Sequence, residues 1–430
     1  MPSIHPVHFG TVFARRTVRC RPRRRLAPCR SCPSGGRRTS KCPRHGHELN
    51  VANDPATCGA GSRVVFPRED DGTRIAINTR APTNASGTSE FTPPYRATGG
   101  TCMRAIQIKT HGLAETHAIE ALPDLEPGHH EVVIDVKTAE VNYPDLLVIS
   151  GRYQTRPPLP FIPGKEAAGI VRVVGPGVTR FKPGDRVLIH VEWGAFATQA
   201  LAHEDQCLPL PDGMAFVESA GLGLPAQTAW FALMERGRWP GDTVLVNGAT
   251  GAVGHAAVQI ASSMGATVLA GVHSPERASA MLYDVSCRMV DLSASDLRNS
   301  LRDQVHLATR GRGVDIVIDM LGGDIFDASL RALAWDGRIV TVGFAAGRIP
   351  EVRAGYLLVK NATVSGLQWT DYRDRQPWKV AQAHTVMASM WAKRTLRANI
   401  MQTVPLNRFS EALHLIDTRR ATGRIVLTMD

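Results

Sequence analysis

The stretch TVLVNGATGAVG, residues 243–254, decides the fold. Its first five residues form a continuous apolar run, the pattern of a strand covered on both faces. Glycines follow at 248, 251 and 254, then an apolar-periodic stretch from Ala252 to Met264 that reads as a helix, then a second apolar strand, Thr267 to Val272. Strand, glycine turn, helix and strand in that order imply a parallel sheet. A turn without bulky side chains lets backbone N–H groups approach a pyrophosphate, and the helix N-terminus adds partial positive charge there. The glycine spacing by itself also fits an ordinary tight turn; the second strand at the right distance makes a dinucleotide site the expectation.

NAD-preferring sites usually end the second strand in an acid that binds the ribose 2′-hydroxyl. Here the strand runs into His273-Ser274-Pro275-Glu276-Arg277. No acid stands at the tip, while a hydroxyl and a guanidinium follow within one turn and suit a 2′-phosphate. NADPH is therefore expected over NADH. Ser274 and Pro275 also fit a helix start, and the two roles are compatible.

Downstream, Val314–Asp319, a helix near Asp327 to Leu333, and Arg338–Val342 continue the alternation. Upstream the pattern differs. Short strands (Met103–Lys109, Glu131–Lys137, Gly169–Val174, Arg186–His190) are separated by Pro-Gly and Gly-Pro-Gly turns up to about Pro225. The expected organisation is a leader over 1–102, a β-rich domain over 103–225, a parallel-sheet domain over 226–359, and a return to the first domain over 360–430.

With 430 residues, 43% of them hydrophobic, the chain has material for about two to three domains. The formal net charge of +11 is located in the leader, where residues 1–102 hold 17 of the 50 Lys and Arg but 6 of the 39 Asp and Glu. The remainder is balanced, so no nucleic acid is expected on the body. Six of the eight cysteines are also in the leader, leaving Cys207 and Cys287 without a disulfide framework, which suits a reducing cytoplasm. No run of about 18 apolar residues predicts a membrane span. The leader is rich in Pro, Arg, Gly and Ser and is expected to be disordered. Three other readings stand beside that one: a small zinc site at Cys29, Cys32, Cys42 and His45, a targeting role, and a native start at Met103.

From Met103 onward the chain resembles the medium-chain dehydrogenase/reductase superfamily, and within it the zinc-independent NADPH:quinone oxidoreductase group. The resemblance rests on EVNYPD (140–145), SGRY (150–153), PFIPGKEAAG (160–169), FKPGDRV (181–187), GAFA (194–197), the glycine turn, GRGVD (311–315), GRIVTVGF (337–344) and ATGRIV (421–426). It implies an α/β protein: a GroES-like β-rich catalytic domain interrupted by a Rossmann doubly wound parallel-sheet domain. Zinc-dependent relatives carry Cys where Asn142 stands and His where Lys165 stands, so no catalytic metal is expected. Without a Lewis acid an activated acceptor is favoured over a simple alcohol.

The resemblance also assigns roles. Asn142 would lie near the nicotinamide ribose and the substrate oxygen, with Tyr153 as proton donor or, alternatively, as a half-buried residue with a satisfied hydroxyl. Thr228, Gly343 and Phe344 would lie near the nicotinamide, and Ala249, Thr250, Gly251, Ala252, Val253 and Gly254 would take the pyrophosphate. Ser274 and Arg277 would hold the 2′-phosphate, more so because Leu292 stands where many relatives have a Tyr. A homodimer through the sheet edge near Thr363 to Leu367 is implied. His255 is expected as a solvated helix residue. Trp193, Trp369 and Tyr372 are candidates for an aromatic pocket or for packing.

The leading expectation is hydride transfer from NADPH to a quinone or other conjugated carbonyl. One alternative is enoyl thioester reduction, with Arg152, Arg156 and Arg373 meeting a phosphorylated carrier. The other is an NADPH-binding structural or regulatory protein whose basic leader binds nucleic acid.

Overall fold

The computed structural model describes residues 102–113, 116–239 and 243–429. The four readings of the leader lie outside the described residues.

The chain opens with a hairpin, β1 (Cys102–Ile106) and β2 (Ile119–Pro123). The long β3 (Glu131–Val141) leads into a short helix α1 (Tyr143–Ile149), and β4 (Glu166–Val174), β5 (Arg186–His190), β6 (Gln199–His203) and β7 (Cys207–Pro209) follow. β3 carries β4 along one edge and divides the other between β6 and the last strand of the chain. Alternating inward residues such as Val132, Ile134, Ile189 and Phe196 form the core of this β-rich part.

Helix α2 (Leu224–Phe231) then leads to β8 (Thr243–Asn247), α3 (Ala252–Ser263), β9 (Thr267–Val272), α4 (Pro275–Met281), β10 (Arg288–Asp291), α5 (Leu297–Ala308), β11 (Val314–Asp319), α6 (Gly323–Ala332), β12 (Leu333–Thr341), α7 (Ala354–Lys360) and β13 (Thr363–Gly366). The six strands form a parallel sheet in the order β10-β9-β8-β11-β12-β13. That is the doubly wound order, with the reversal between β8 and β11. The apolar run of residues 243–247 has its reason here: Val244 and Val246 pack with Ala256 and Ile260 on one face, Leu245 with Val305 and Phe326 on the other. The α/β architecture expected from the sequence is the one observed.

Three details differ from the sequence reading. The helix expected near 327–333 runs from Gly323 to Ala332, because an apolar-periodic stretch does not mark its own first turn. β10 and α5 were not anticipated; α5 is mostly polar and buries only Leu301 and Val305, so few apolar residues announce it. The expected return to the first domain at 360 is too early. β13 remains in the parallel sheet beside β12, helices α8 (Trp369–Arg375) and α9 (Pro377–Ala392) follow, and only β14 (Ile400–Pro405), after which come α10 (Phe409–Asp417) and β15 (Arg424–Thr428), rejoins the first sheet. A four-residue strand, TVSG, is too short for its pattern to name its sheet.

The strands of the parallel sheet end in register: Val272, Asn247, Asp319, Thr341 and Gly366 share its carboxyl edge or lie one step from it. A Cβ on Gly254 would stand 2.1 Å from the Gly248 carbonyl oxygen, backbone against backbone. Gly254→Ala should therefore destabilise the fold by about 1–3 kcal/mol, the usual cost of overpacking, read as a lower urea midpoint.

Candidate active site

At the switch point the ends of β8 and β11 are pinned together. Asn247 Nδ2 donates to Asp319 Oδ1 and to Ser329 Oγ, each at 2.9 Å, and Asp319 Oδ2 accepts the Gly322 N–H at 3.0 Å. Burial holds the Asp319 carboxyl above its ordinary range. These bonds hold in place the base from which the glycine turn departs.

The turn divides its residues into two kinds. The Gly248 and Ala249 N–H groups both donate to Gly271 O, at 2.9 and 3.1 Å, and Ala249 and Gly254 are buried beneath the turn. Gly251 and Ala252 are exposed, Thr250 and Val253 half-buried, and α3 starts at Gly251 with no capping side chain. First-turn N–H groups have no partner within their own helix. The open face at 250–253 therefore fits a pyrophosphate, while Ala249 and Gly254 shape it from below.

Beyond β9, Ser274 caps α4, its Oγ accepting the Arg277 N–H at 3.5 Å and donating to Glu276 Oε2 at 3.2 Å, and Arg277 is exposed. Leu292 is buried in the core beside Gly271. Past β12, Gly343 and the partly exposed Phe344 lie beside the same carboxyl edge, with the Val342 N–H bonded to Asp319 O at 2.8 Å.

The β-rich part supplies the other wall. Asn142 precedes α1, and its N–H donates to Asp145 Oδ2 at 2.8 Å. Its side-chain Nδ2 donates to Glu166 Oε1 at 2.7 Å. Because a carboxylate only accepts, this bond orients the amide, with Oδ1 on the side away from Glu166. Glu166 Oε2 accepts the Leu224 N–H at 2.6 Å, which opens the helix carrying Thr228; Thr228 Oγ1 donates back to Leu224 O at 2.8 Å. A Cβ on Gly223 would fall 2.1 Å from Glu166 Oε2, so the carboxylate reaches Leu224 because residue 223 is glycine. Glu166 is fully buried, and burial raises its carboxyl above the ordinary range against these hydrogen bonds.

Lys165, 4% exposed, donates to Glu192 Oε1 at 2.5 Å and to Glu192 O at 3.2 Å. The other Glu192 oxygen accepts from Arg373 at 3.2 Å, and Arg373 also binds Asp374. The Lys165 ammonium stands 4.8 Å from the Tyr153 ring centroid. Tyr153 is half-buried; burial and the nearby Glu192 charge push its hydroxyl above the usual tyrosine range, opposed by a hydrogen bond with the Gln368 side chain. Gln368, Trp369 and Arg373 thus arrive from beyond β13 to meet the β-rich part. Sequence reasoning missed Glu192 and Gln368, since lone polar residues outside any motif carry no signal.

Other expectations meet different outcomes. His255 is buried, not solvated: Nε2 lies 3.2 Å from Met281 O and Nδ1 2.9 Å from Gln259 Nε2, because α4 covers this side of α3. Arg373 is buried and spent on two carboxylates, so it does not face a phosphorylated carrier. Trp369 is buried and Tyr372 packs on Phe231 with centroids 4.6 Å apart, whereas Trp193 is half-buried. Burial pushes the Cys207 thiol up to about 12 and raises Cys287 as well, which removes the thiolate that nucleophilic catalysis needs. A catalytic zinc does not fit the donor set, since Lys165 offers an ammonium already bonded to Glu192 and Asn142 an amide. Among the described residues no group of His, Cys, Asp or Glu is arranged to hold a metal ion.

The chain and its fold have counterparts among known proteins. An alcohol dehydrogenase GroES-like domain matches residues 128–212, and the family described as zinc-binding dehydrogenase matches 252–384. Quinone oxidoreductase-like protein 2 of Mus musculus is 34% identical over 304 residues, 70% of this chain and 86% of that protein. Quinone oxidoreductase of Mus musculus is 35% identical over 250 residues, 57% of this chain and 75% of its own length. The crystal structure of the Pseudomonas syringae pv. Tomato DC3000 quinone oxidoreductase superposes with a TM-score of 0.69 at 29% identity, covering 76% of this chain and 99% of that one.

Glu166→Gln keeps the volume but places an NH₂ group against either Asn142 Nδ2 or the Leu224 N–H, so one of the two bonds is lost. The buried donor left behind costs about 1–3 kcal/mol. The variant should lose that much stability in urea unfolding, and Glu166→Asp, which keeps the carboxylate but shortens its reach, should restore neither bond fully.

Proposed function

Because the chain belongs to the medium-chain dehydrogenase/reductase superfamily, among its quinone oxidoreductase-like members, we propose that it transfers hydride from NADPH to a quinone or other conjugated carbonyl without zinc. The observation that carries this reading is Lys165. Where zinc-dependent relatives have a histidine ligand, this chain holds a buried ammonium bonded to Glu192 and set against Tyr153. Such a site suits an acceptor already activated by conjugation, which needs alignment and a proton more than a Lewis acid.

NADPH would supply the hydride. The backbone of 250–253 would hold its pyrophosphate, Ser274 and Arg277 its 2′-phosphate, and Thr228, Gly343 and Phe344 would flank the nicotinamide. With Nδ2 committed to Glu166, Asn142 would act through Oδ1 as an acceptor for a ribose or substrate hydroxyl. The proton that accompanies the hydride would come from the Tyr153 hydroxyl, which burial keeps protonated and Gln368 orients. Hydride and proton together carry two electrons and two protons to the acceptor, which turns a quinone into the hydroquinone with both oxygens as hydroxyls, and solvent reprotonates Tyr153.

A cytoplasmic, homodimeric protein is the accompanying proposal. No helix among the described residues is long and apolar enough to cross a membrane, and Cys102, Cys207 and Cys287 are free thiols. Among the described residues β13 is an edge strand, and α7 just before it exposes Leu358 and Val359 at 80% and 81%. An unpaired edge beside exposed apolar residues favours a second copy.

Purified protein should oxidise NADPH with 1,4-naphthoquinone; no oxidation with any conjugated acceptor would overturn the proposal. Arg277→Ala should raise KM for NADPH about tenfold and leave NADH use unchanged, consistent with loss of one charge-assisted contact. Tyr153→Phe should lower kcat by about 10²-fold or more with little change in KM. In the wild type, kcat should hold through the ordinary tyrosine range and fall only above it, since a raised pKa keeps the donor protonated to higher pH. Light scattering should give a dimer, and Leu358→Asp should yield a monomer.

A further inference from the structure

Two aromatic side chains beside the site carry polar atoms that have no hydrogen-bond partner among the described residues. His190 stands across the β4–β5 ladder from Glu166, is 1% exposed, and has no partner for either ring nitrogen. Glu166 Oε2 lies 3.8 Å from its Nδ1, beyond hydrogen-bond range. Trp369 opens α8, is 4% exposed, and its indole N–H has no acceptor. The two rings meet edge-on with centroids 5.0 Å apart. Each adjoins a site residue: Glu166, opposite His190, holds Asn142, and Gln368, before Trp369, bonds Tyr153. Buried polar atoms left unpaired are a standing cost to a fold, and their concentration beside a site points to a ligand that pairs them.

The chemistry of the pair narrows that ligand. Burial, with lesser contributions from His384 and Arg373, pushes His190 down to about 3, so the ring is neutral and offers one donor and one acceptor. Trp369 offers one donor. A phosphate or carboxylate calls for a cation, and the nearby Arg373 is already paired with Glu192 and Asp374. A neutral oxygen fits. A quinone oxygen accepts hydrogen bonds before reduction and carries a hydroxyl afterwards; a neutral imidazole serves both forms.

We infer that His190 and Trp369 form a subsite for a second oxygen of the acceptor, which makes the favoured acceptor a dicarbonyl of the quinone type rather than a simple enone. The inference rests on the hydride-transfer reading above and sharpens it.

Equilibrium binding to the full chain saturated with NADP⁺ tests this without requiring turnover. The two probes are 1,4-naphthoquinone and 1-tetralone, which share a bicyclic frame but carry two oxygens and one. Trp369→Phe removes the N–H together with one ring of a buried side chain, and the tetralone arm registers the lost packing, which affects both ligands alike. The variant should weaken naphthoquinone binding about five- to tenfold, the usual effect of one hydrogen bond, and reduce the preference over tetralone by the same factor. His190→Phe should act in the same direction; should it fail to fold, Trp369→Phe decides alone. An unchanged naphthoquinone Kd together with a raised Tm would overturn the inference, showing that the groups merely face a buried water or a packing defect. Equal weakening of both ligands would overturn it too. A wild type that binds naphthoquinone through Trp369 but never oxidises NADPH would sink the hydride-transfer reading and leave the subsite standing.

Discussion

The Glu166 carboxylate joins the two halves of the site. One oxygen takes the Asn142 amide, the other takes the Leu224 N–H at the start of the helix that leads into the parallel sheet. Both bonds are short, and one depends on residue 223 having no side chain. A single group therefore sets the orientation of a candidate catalytic amide and the placement of the helix bearing Thr228. Such coupling is available because a carboxylate has two oxygens and a buried one must have both satisfied.

The charges around it follow the same logic. Lys165, the partly buried Glu192 and Arg373 form a continuous ion chain, and Arg424 pairs with Glu140 in the adjacent interior. Buried charges are tolerated when their partners and geometry offset desolvation. Here they also bring the segment after β13 onto the β-rich part, so that Gln368 reaches Tyr153. The aromatic and polar wall of the site is thus assembled by electrostatics between elements distant in sequence.

On the opposite wall, the proposed recognition would fall to the backbone. The glycine turn divides its residues between those that hold the turn down and those that face outward, and the Asn247–Asp319–Ser329 contacts keep its base rigid. An uncapped helix start at a sheet's switch point is complementary to a dianionic linker irrespective of side-chain identity. In the proposed binding mode, recognition of a phosphate on the ribose would fall to Ser274 and Arg277, the groups at the neighbouring strand tip.

Much of this was legible in the chain itself. The run at 243–247, the three glycines and the strand at 267–272 specify a parallel sheet and its turn, because local periodicity and backbone freedom are properties of neighbouring residues. That Asn142 and Lys165 stand where zinc-dependent relatives carry Cys and His rests on the family resemblance, and neither side chain is a usual zinc donor. What required the tertiary structure is every relation between residues far apart: that Ala249 supports the turn rather than facing out, that His255 is covered by α4, that β13 stays in the parallel sheet, and that Arg373 is spent on Glu192. The ring contact of His190 with Trp369 belongs to the same class, since 178 positions separate them. Burial and pairing depend on which surfaces meet in space, and no local pattern carries that information.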